Sequence, residues 1–276
     1  MPCVIVKSRH PYGYEDEICC NTLNAMMRIV ASDVIHYHSA PWIYRILAGR
    51  IRYLDYSMAR TLRKSVVWHF HGHEIRGQPV EKRPPQFDCP AIVSTPDLLR
   101  YLPDATWIPN AADPELFYPR KMSHPKTIVG CYDSPNPYVK HFSPVAETLA
   151  AVRELQRNGK RIDVRILSGY KHQEVPEYFQ QIDIWIDKFG MDFYGLCALE
   201  ASLCEIPVVT QIGEPEQSLI PSCPFTTTER CEIKQTIEYL LDEDVRKELG
   251  KKGAEFTKRF HDPVRAADKC LKLYRS

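Results

Sequence analysis

The stretch from Ile186 to Thr210, IDKFGMDFYGLCALEASLCEIPVVT, decides the predicted fold of this chain. The apolar residues of 182–186 alternate as in a buried strand, and a loop with two glycines follows them. The pattern becomes helical from Leu196 to Cys204, and residues 207–209 open another apolar strand. A strand–loop–helix–strand unit of this kind is the building block of a parallel α/β sheet.

Two carboxylates, Asp192 and Glu200, bracket the junction between the loop and the helix. The exposed amides of a helix start favour anions, so we expect a phosphate to bind near Tyr194, Gly195 and Leu196. Glu200 lies more than one turn further along, where a carboxylate can accept hydrogen bonds from sugar hydroxyls. The spacing alone leaves a second interpretation open, an ordinary surface loop followed by a helix with one exposed glutamate.

The composition narrows the class of protein. At 276 residues the chain is long enough for one large domain or two modest ones. The formal net charge of +1 argues against a nucleic-acid-binding surface, and no G-x-G-x-x-G follows the first predicted strand, 3–6. The ten cysteines include no C-x-x-C pair and no signal-peptide pattern follows Met1, so we expect reduced thiols in a soluble, cytoplasmic protein.

Residues 44–64 form a basic segment, with six arginines and lysines against one acid, Asp55, and with apolar and aromatic residues between them. A basic amphipathic segment of this kind can lie on an anionic membrane surface, which would make the protein peripheral. The same pattern also fits a solvated helix face. No apolar run in the chain approaches the roughly 20 residues that span a bilayer.

Histidines cluster at the ends of two predicted strands, 33–38 and 65–70. The cluster contains His36, His38, His69, His71 and His73. Strand alternation places the last three on one side. One interpretation is the metal site of a hydrolase, but such a site needs ligands from later strands. The remaining histidines do not follow comparable strand ends, so the metal site stays an alternative.

The run from Asp192 to Glu200, followed by Pro207-Val-Val, resembles the E-x7-E segment of retaining GT-B glycosyltransferases of the GT4 type. Those enzymes have Glu, a Phe/Tyr-Gly pair, a second Glu after seven residues and then Gly-x-Pro-Val. Here Asp192 replaces the first Glu, and Glu205 replaces the glycine that ends the helix. Because a residue other than glycine rarely adopts a positive φ, we expect the helix to end differently.

Three other segments resemble the same family. Residues 69–76, HFHGHEIR, are similar to its H-x-H-G-x-D-x-R turn, and residues 109–117 are similar to the P-N-x-x-D-x-x-x-F junction that closes its N-terminal domain. The loop 134–140 resembles the phosphate-binding loop of one subgroup, with Lys140 in the place of the lysine that contacts the donor diphosphate. His141 replaces the glycine that usually follows.

The resemblance implies an α/β GT-B fold, in which two Rossmann-like domains face each other across a cleft. Residues 1–120 would form the acceptor-side domain, and residues 121–261 the domain that binds the nucleotide sugar. The last helix, about 262–276, would pack back on the N-terminal domain. The implied activity is that of a retaining hexosyltransferase, which moves a sugar from a nucleoside diphosphate sugar to a glycan, lipid or small-molecule acceptor.

The resemblance also implies the site residues. Asp192 and His71 would be catalytic, and Gly72, Arg76 and His38 would face the acceptor in the cleft. The set that binds the nucleotide sugar would be Lys140, Asn136, Tyr194, Gly195, Leu196 and Glu200. This scheme requires no metal and no cofactor. Two alternatives remain: a catalytically weakened GT-B module, suggested by the departures at Asp192, Glu205 and His141, and the histidine-based metal hydrolase.

Overall fold

The computed structural model describes residues 5–7, 17–19, 22–38, 54–72, 74–76, 88–120, 122, 124–133, 140–220 and 222–275. The predicted site residue Asn136, His73 and the first part of the basic segment, 44–53, lie outside these ranges. The chain divides into two units. The first comprises Met1–Ile108 with Ala267–Ser276, and the second comprises Pro109–Ala266.

The first unit contains two parallel sheets among its described residues. A short pair, β1 (Ile5–Lys7) and β2 (Glu17–Cys19), is separate from a sheet in the order β3 (Val34–His38), β4 (Ser65–Phe70), β5 (Ala91–Val93) and β6 (Thr106–Trp107). The helices are α1 (Thr22–Ala31), α2 (Leu54–Thr61) and a 3-10 turn, Pro96–Arg100. The strand predicted at 65–70 is confirmed with the same bounds.

Helix α2 carries the described part of the basic segment, and its apolar residues belong to the core of the first unit. Ala59 is fully buried and packs with Ile29 and Val66, while Tyr56 and Met58 pack against this group. The apolar side of α2 is therefore covered by protein. Membrane contact by residues 44–64 stays a prediction, which depends on the part of the segment outside the described ranges.

The second unit is a parallel sheet covered by helices. Its strands are β7 (Thr127–Tyr132), β8 (Ile162–Leu167), β9 (Ile184–Ile186), β10 (Val208–Thr210) and β11 (Thr226–Thr227). Its helices are α3 (Val145–Arg157), α4 (Val175–Phe179), α5 (Leu196–Leu203), α6 (Glu214–Leu219), α7 (Ile233–Tyr239) and α8 (Glu243–Phe260). The last helix, α9 (Pro263–Tyr274), belongs to the first unit from Ala267 onward. Two 3-10 turns, His172–Glu174 and Arg230–Glu232, follow β8 and β11.

The order of the five strands determines where this sheet can bind a ligand. The spatial order is β11-β10-β9-β7-β8, so the chain leaves β7 toward one edge and leaves β9 toward the other. Right-handed crossovers then place α3 and α5 on opposite faces of the sheet. Helices α3 and α7 cover a core that includes Val129, Ile184 and Val209, and α5 packs against α8. The two connections diverge between β7 and β9 and leave a gap there.

Helix α8 differs from the sequence pattern. Residues 244–250 and 253–260 each have a helical pattern, which predicts two successive helices, but the structure forms one helix of 18 residues, Glu243–Phe260. Gly250 and Gly253 lie inside this helix because α8 passes very close to the end of α5. A Cβ on Gly250 would overlap the carbonyl oxygen of Glu205, and one on Gly253 would lie 2.9 Å from Oγ of Ser202.

The end of α5 corrects the expectation about Glu205. This residue adopts φ +57° and ends the helix in the way the family's glycine would. Its amide donates to the carbonyl oxygen of Ser202, and the amide of Ile206 donates to that of Ala201, which are the two bonds of a Schellman motif. The left-handed conformation costs a residue with a Cβ about 1 kcal/mol. The expected change of helix end is wrong, because the surrounding packing tolerates this cost.

None of the described helices combines the length and the apolar character needed to cross a membrane. Seven described cysteines are unpaired, namely Cys89, Cys131, Cys197, Cys204, Cys223, Cys231 and Cys270, and of these Cys131 and Cys204 are buried. The reduced state of the thiols stays a prediction.

We expect Gly250→Ala to lower the free energy of unfolding by about 2 kcal/mol. Overpacking against a backbone atom costs about 3 kcal/mol, and the better helix propensity of alanine offsets about 1 kcal/mol of that cost. Urea unfolding of the purified variant measures this change. Lys251→Ala, at an exposed position one residue later, is the control and should stay within about 0.5 kcal/mol of the wild type. A more stable Gly250→Ala variant would show that α8 does not pack on α5 in this way.

Candidate functional site

The gap between β7 and β9 lies at the carboxyl edge of the second sheet, where open parallel sheets bind their ligands. The chain leaves β9 through residues 187–195, which lead into α5. It leaves β7 through residues 133–144, of which 134–139 are outside the described ranges. All six predicted nucleotide-binding residues belong to these two connections or to α5.

Asp187 fixes the loop after β9. Its carboxylate is 1% exposed and accepts hydrogen bonds from the amide of Gly195 at 2.7 Å and from Nε1 of Trp185 at 3.4 Å. Burial raises the pKa of Asp187, while the charge of Lys188 and the Gly195 amide act in the opposite direction. The bond to Gly195 anchors the residue immediately before α5. The sequence analysis did not identify this role.

Lys188 brings a positive charge to the start of α5. Its Nζ lies 3.8 Å from the position that a Cβ on Gly195 would occupy, and 5.5 Å from the ring centroid of Tyr132 at the end of β7. Its charge acts on the nearby buried carboxylate of Asp187. A half-buried cation therefore lies in the gap between β7 and β9. The sequence analysis missed Lys188, although a lysine two residues after a buried strand was a visible signal.

Arg230 holds the two connections together. From the 3-10 turn after β11, its guanidinium donates to the carbonyl oxygens of His141 at 2.8 Å, Ser143 at 3.1 Å and Phe189 at 3.3 Å. It also forms an ion pair with Glu147 at 2.8 Å. Arg230 is more than 40 residues away from each of these partners along the chain, so the pattern of the sequence gave no signal for it.

Lys140, the lysine predicted to contact a phosphate, is exposed. Its carbonyl oxygen accepts from the amide of Ser143 at 3.0 Å. Its side chain forms no hydrogen bond or ion pair with the residues that the structure describes. The amide of Phe189 donates to the carbonyl oxygen of Phe142 at 3.0 Å, so the segment that carries Lys140 contacts the loop after β9.

The three residues predicted to bind a phosphate at the helix start, Tyr194, Gly195 and Leu196, make different contacts in the structure. The side chain of Tyr194 is buried, and its hydroxyl lies 2.8 Å from Nε2 of His261, whose Nδ1 in turn lies 2.6 Å from the carbonyl oxygen of Asn110. The amide of Gly195 donates to Asp187. The amide of Ala198 donates to the carbonyl oxygen of Gly195 at 3.2 Å, whereas the amide of Leu196, the first residue of α5, has no partner within the helix and remains suited to an anion.

Glu200 is buried, so the interpretation of this residue as an exposed surface glutamate is wrong. Its Oε1 lies 3.1 Å from Nε2 of His172, which follows β8. The hydrogen bond to Glu200 raises the pKa of His172, and burial of the ring opposes that effect. The imidazole also packs edge-on against Phe117, with ring centroids 5.8 Å apart. His172 was another residue that the sequence analysis did not select.

Asp192 lies against the loop after β10. It adopts φ +57°, and its carbonyl oxygen accepts from the amide of Gly213 at 3.0 Å. A Cβ on Gly213 would lie 3.1 Å from Cβ of Asp192, so glycine permits the close approach of the two loops. This contact brings Asp192 to the same edge of the sheet as Lys188 and α5.

The four predicted residues of the first unit lie around the end of β4. Gly72 has φ +102°, and a Cβ there would lie 2.6 Å from Nη1 of Arg76. The guanidinium of Arg76 forms a largely buried ion pair with Asp97, at 2.6 and 2.8 Å, and donates to Oγ1 of Thr95 at 3.1 Å. Arg76 therefore contributes a structural contact in this unit.

His38 and His71 meet directly, with 2.8 Å between Nδ1 of His38 and Nε2 of His71. His36 and His69 stack beside them. Burial, and then the neighbouring imidazole of His71, lower the pKa of His36 to about 4. Burial and the three other rings lower the pKa of His69 to about 2.

No protein-family model matches the chain, and no curated protein matches it. Solved structures match it over most of its length. Sucrose-phosphate synthase from Thermosynechococcus elongatus has a TM-score of 0.62 at 17% identity, covering 92% of this chain and 75% of that protein. A glycosyltransferase from Rickettsia africae has a TM-score of 0.59 at 14% identity, covering 94% of this chain and 84% of that protein.

HepE from Anabaena, solved in complex with UDP and glucose, has a TM-score of 0.62 at 13% identity, covering 92% of this chain and 80% of HepE. At these identities the comparisons establish the fold. The chain has the α/β GT-B fold of the glycosyltransferases that it matches, as the sequence predicts.

The pair formed by His172 and Glu200 predicts a pH dependence of stability. Because the pKa of His172 is raised in the folded protein, its contribution is complete below the unfolded value of about 6.5 and is lost as the pH rises through the folded value. We therefore expect the stability difference between the wild type and His172→Gln to shrink from pH 5.5 to pH 8.5, measured by urea unfolding. His141→Gln is the control, because His141 is an exposed histidine whose ring contacts Phe142 and no carboxylate in the described ranges. A difference that grows with pH would contradict the pair.

Proposed function

We propose that this protein transfers a sugar from a nucleoside diphosphate sugar to an acceptor hydroxyl, with retention of configuration at the anomeric carbon. The observation that carries the proposal is the position of Lys188, a cation beside the start of α5 in the gap between β7 and β9. The GT-B fold supports it, and so do the structures of HepE with UDP-glucose.

The donor diphosphate binds in this gap. Lys188 and Lys140 supply positive charge, and the first-turn amides of α5, beginning at Leu196, supply hydrogen-bond donors. Asn136 contributes from the connection after β7. When the bond between the sugar and the diphosphate breaks, negative charge develops on the leaving phosphate, and these fixed groups stabilise it.

Glu200 binds the nucleotide ribose. A buried carboxylate one turn into α5 can accept hydrogen bonds from two ribose hydroxyls, which are donors. His172 fixes the orientation of this carboxylate in the absence of nucleotide. Because both residues belong to the second unit, nucleotide binding and its loss on substitution can be measured without an acceptor.

Asp192 contacts the donor sugar. The bond between the anomeric carbon and the diphosphate breaks, and a bond to the acceptor oxygen forms on the same face of the sugar. The proton of the acceptor hydroxyl passes to an oxygen of the leaving phosphate, so the reaction needs no separate general base and no metal. In the first unit, His71 is the catalytic residue, His38 and Gly72 form the acceptor side, and Arg76, held by Asp97, supports Gly72.

The first prediction concerns the donor. Among UDP, GDP, ADP and their glucose conjugates, one nucleotide should raise the thermal midpoint of the protein, because a ligand that binds only the folded state stabilises it. Lys188→Ala and Glu200→Gln should each weaken this ligand by about tenfold or more, the loss of one charged hydrogen bond. Lys140→Ala should weaken it in the same direction.

Lys160→Ala is the matched control, because Lys160 is an exposed lysine after α3 whose ammonium pairs with Glu238 at 3.6 Å. It should bind the nucleotide as the wild type does. If one nucleotide stabilises every variant equally, the assigned residues are wrong. If no nucleotide stabilises the wild type, the donor class is wrong.

The second prediction concerns the reaction. Incubation with the matching nucleotide sugar and a panel of acceptors should release the nucleoside diphosphate and form a glycoside with the anomeric configuration of the donor, as measured by proton NMR. Asp192→Ala should reduce the rate of sugar transfer by more than it reduces nucleotide affinity. An inverted product would contradict retention, and binding without any product would favour the weakened GT-B module.

A further inference from the structure

Four imidazoles of the first unit lie side by side on one face of its sheet. Strands β3 and β4 are parallel neighbours, and His38 is directly opposite His69. Since alternate residues share a face, His36 and His71 join them. Ring centroids lie 4.5 Å apart for His36–His38, 4.3 Å for His69–His71 and 5.0 Å for His38–His69.

Buried nitrogen atoms in this group lack partners. Within the described ranges, both ring nitrogens of His69 and Nε2 of His36 are buried and accept or donate no hydrogen bond. A buried polar atom without a partner costs free energy, commonly about 1–3 kcal/mol. One ring nitrogen each of His36, His38 and His69 lie within 4.8 Å of one another, so a single bound atom could satisfy all three.

Two neighbouring side chains, Tyr274 and His71, contact the rings of His36 and His38 and orient them. The hydroxyl of Tyr274, on α9, lies 2.6 Å from Nδ1 of His36, and Nε2 of His71 lies 2.8 Å from Nδ1 of His38. In His36 this contact engages Nδ1, and the buried Nε2 has no partner among the described residues. A hydrogen bond to the second ring nitrogen is the usual support of a histidine that binds a metal.

We propose that His36, His38 and His69 bind one divalent first-row transition ion, such as Zn²⁺, with Tyr274 and His71 as positioning residues. Imidazole nitrogens suit Zn²⁺, Co²⁺, Ni²⁺ and Cu²⁺, whereas Mg²⁺ and Ca²⁺ prefer oxygen ligands. A tetrahedral zinc ion with Zn–N bonds of 2.0–2.1 Å separates its nitrogen ligands by about 3.4 Å. The three nitrogen atoms lie within 4.8 Å of one another, so binding the ion would draw them together by about 1.4 Å at most.

The proposed ion would join β3 to β4 and, through His36 and Tyr274, to the last helix. It involves His38 and His71, to which the proposed function gives roles on the acceptor side, but its test measures metal binding and not sugar transfer, so either proposal can fail without the other. Three histidines leave the fourth tetrahedral position to water or another ligand.

The test uses the full chain, freed of any affinity tag and stripped with a chelator. We expect calorimetry to show one saturable Zn²⁺ site per chain, Co²⁺ to give visible absorption bands of a tetrahedral site, and Mg²⁺ to give neither signal. His69→Gln should lose this binding, by at least about a hundredfold. Tyr274→Phe keeps every ligand but removes the hydroxyl on His36, and should weaken binding by about ten- to a hundredfold.

His141→Gln, which removes an exposed histidine of the second unit, should bind Zn²⁺ as the wild type does. If His69→Gln fails to fold, Tyr274→Phe decides the question. The proposal is wrong if the wild type has no saturable site for Zn²⁺ or Co²⁺. It is equally wrong if Tyr274→Phe and His141→Gln bind the ion as tightly as the wild type, because the ion would then occupy other surface groups.

Discussion

The hydrogen bond from the Gly195 amide to the buried carboxylate of Asp187 is the contact on which the candidate site depends. It fixes the start of α5 at the end of β9, and therefore fixes where the first-turn amides of that helix point. A carboxylate that is 1% exposed is costly to bury without partners. The indole of Trp185 and the charge of Lys188 help to offset that cost, so the group that orients the helix also places a cation beside it.

Local patterns predicted the elements of the fold well. The strand at 65–70 has the bounds that its sequence indicates, because alternation of buried residues is a property of a few consecutive positions. Helix α8 shows where this reasoning fails. Gly250 separates two helical patterns in the sequence, but the structure uses it for close contact with α5. Only the arrangement of two helices in space distinguishes these roles.

In the candidate site, too, some residues could be predicted from the local sequence and others could not. Glu200 and the start of α5 could be predicted, because they belong to one continuous motif. The partner of Glu200 is His172, and the group that joins the loops after β7 and β9 is Arg230. Both residues follow other strands of the sheet, and a single sequence does not show which distant residues lie close together in the fold. The resemblance also gave ligand-binding roles to Tyr194 and Arg76. In the structure, the side chain of Tyr194 contacts His261 and that of Arg76 pairs with Asp97.

The contact between Gly250 and Glu205 has a consequence for the evolution of related chains. At position 205 the requirement for glycine is conformational, and a cost of about 1 kcal/mol is small enough for selection to tolerate. At position 250 the requirement is steric and involves a backbone oxygen, which no change of side chain can move aside. As related sequences diverge, we therefore expect a glycine at position 205, which belongs to the family motif, to be lost before the glycine at position 250, which lies outside that motif. Sequence motifs that demand the first glycine would overlook descendants that keep the same helix packing.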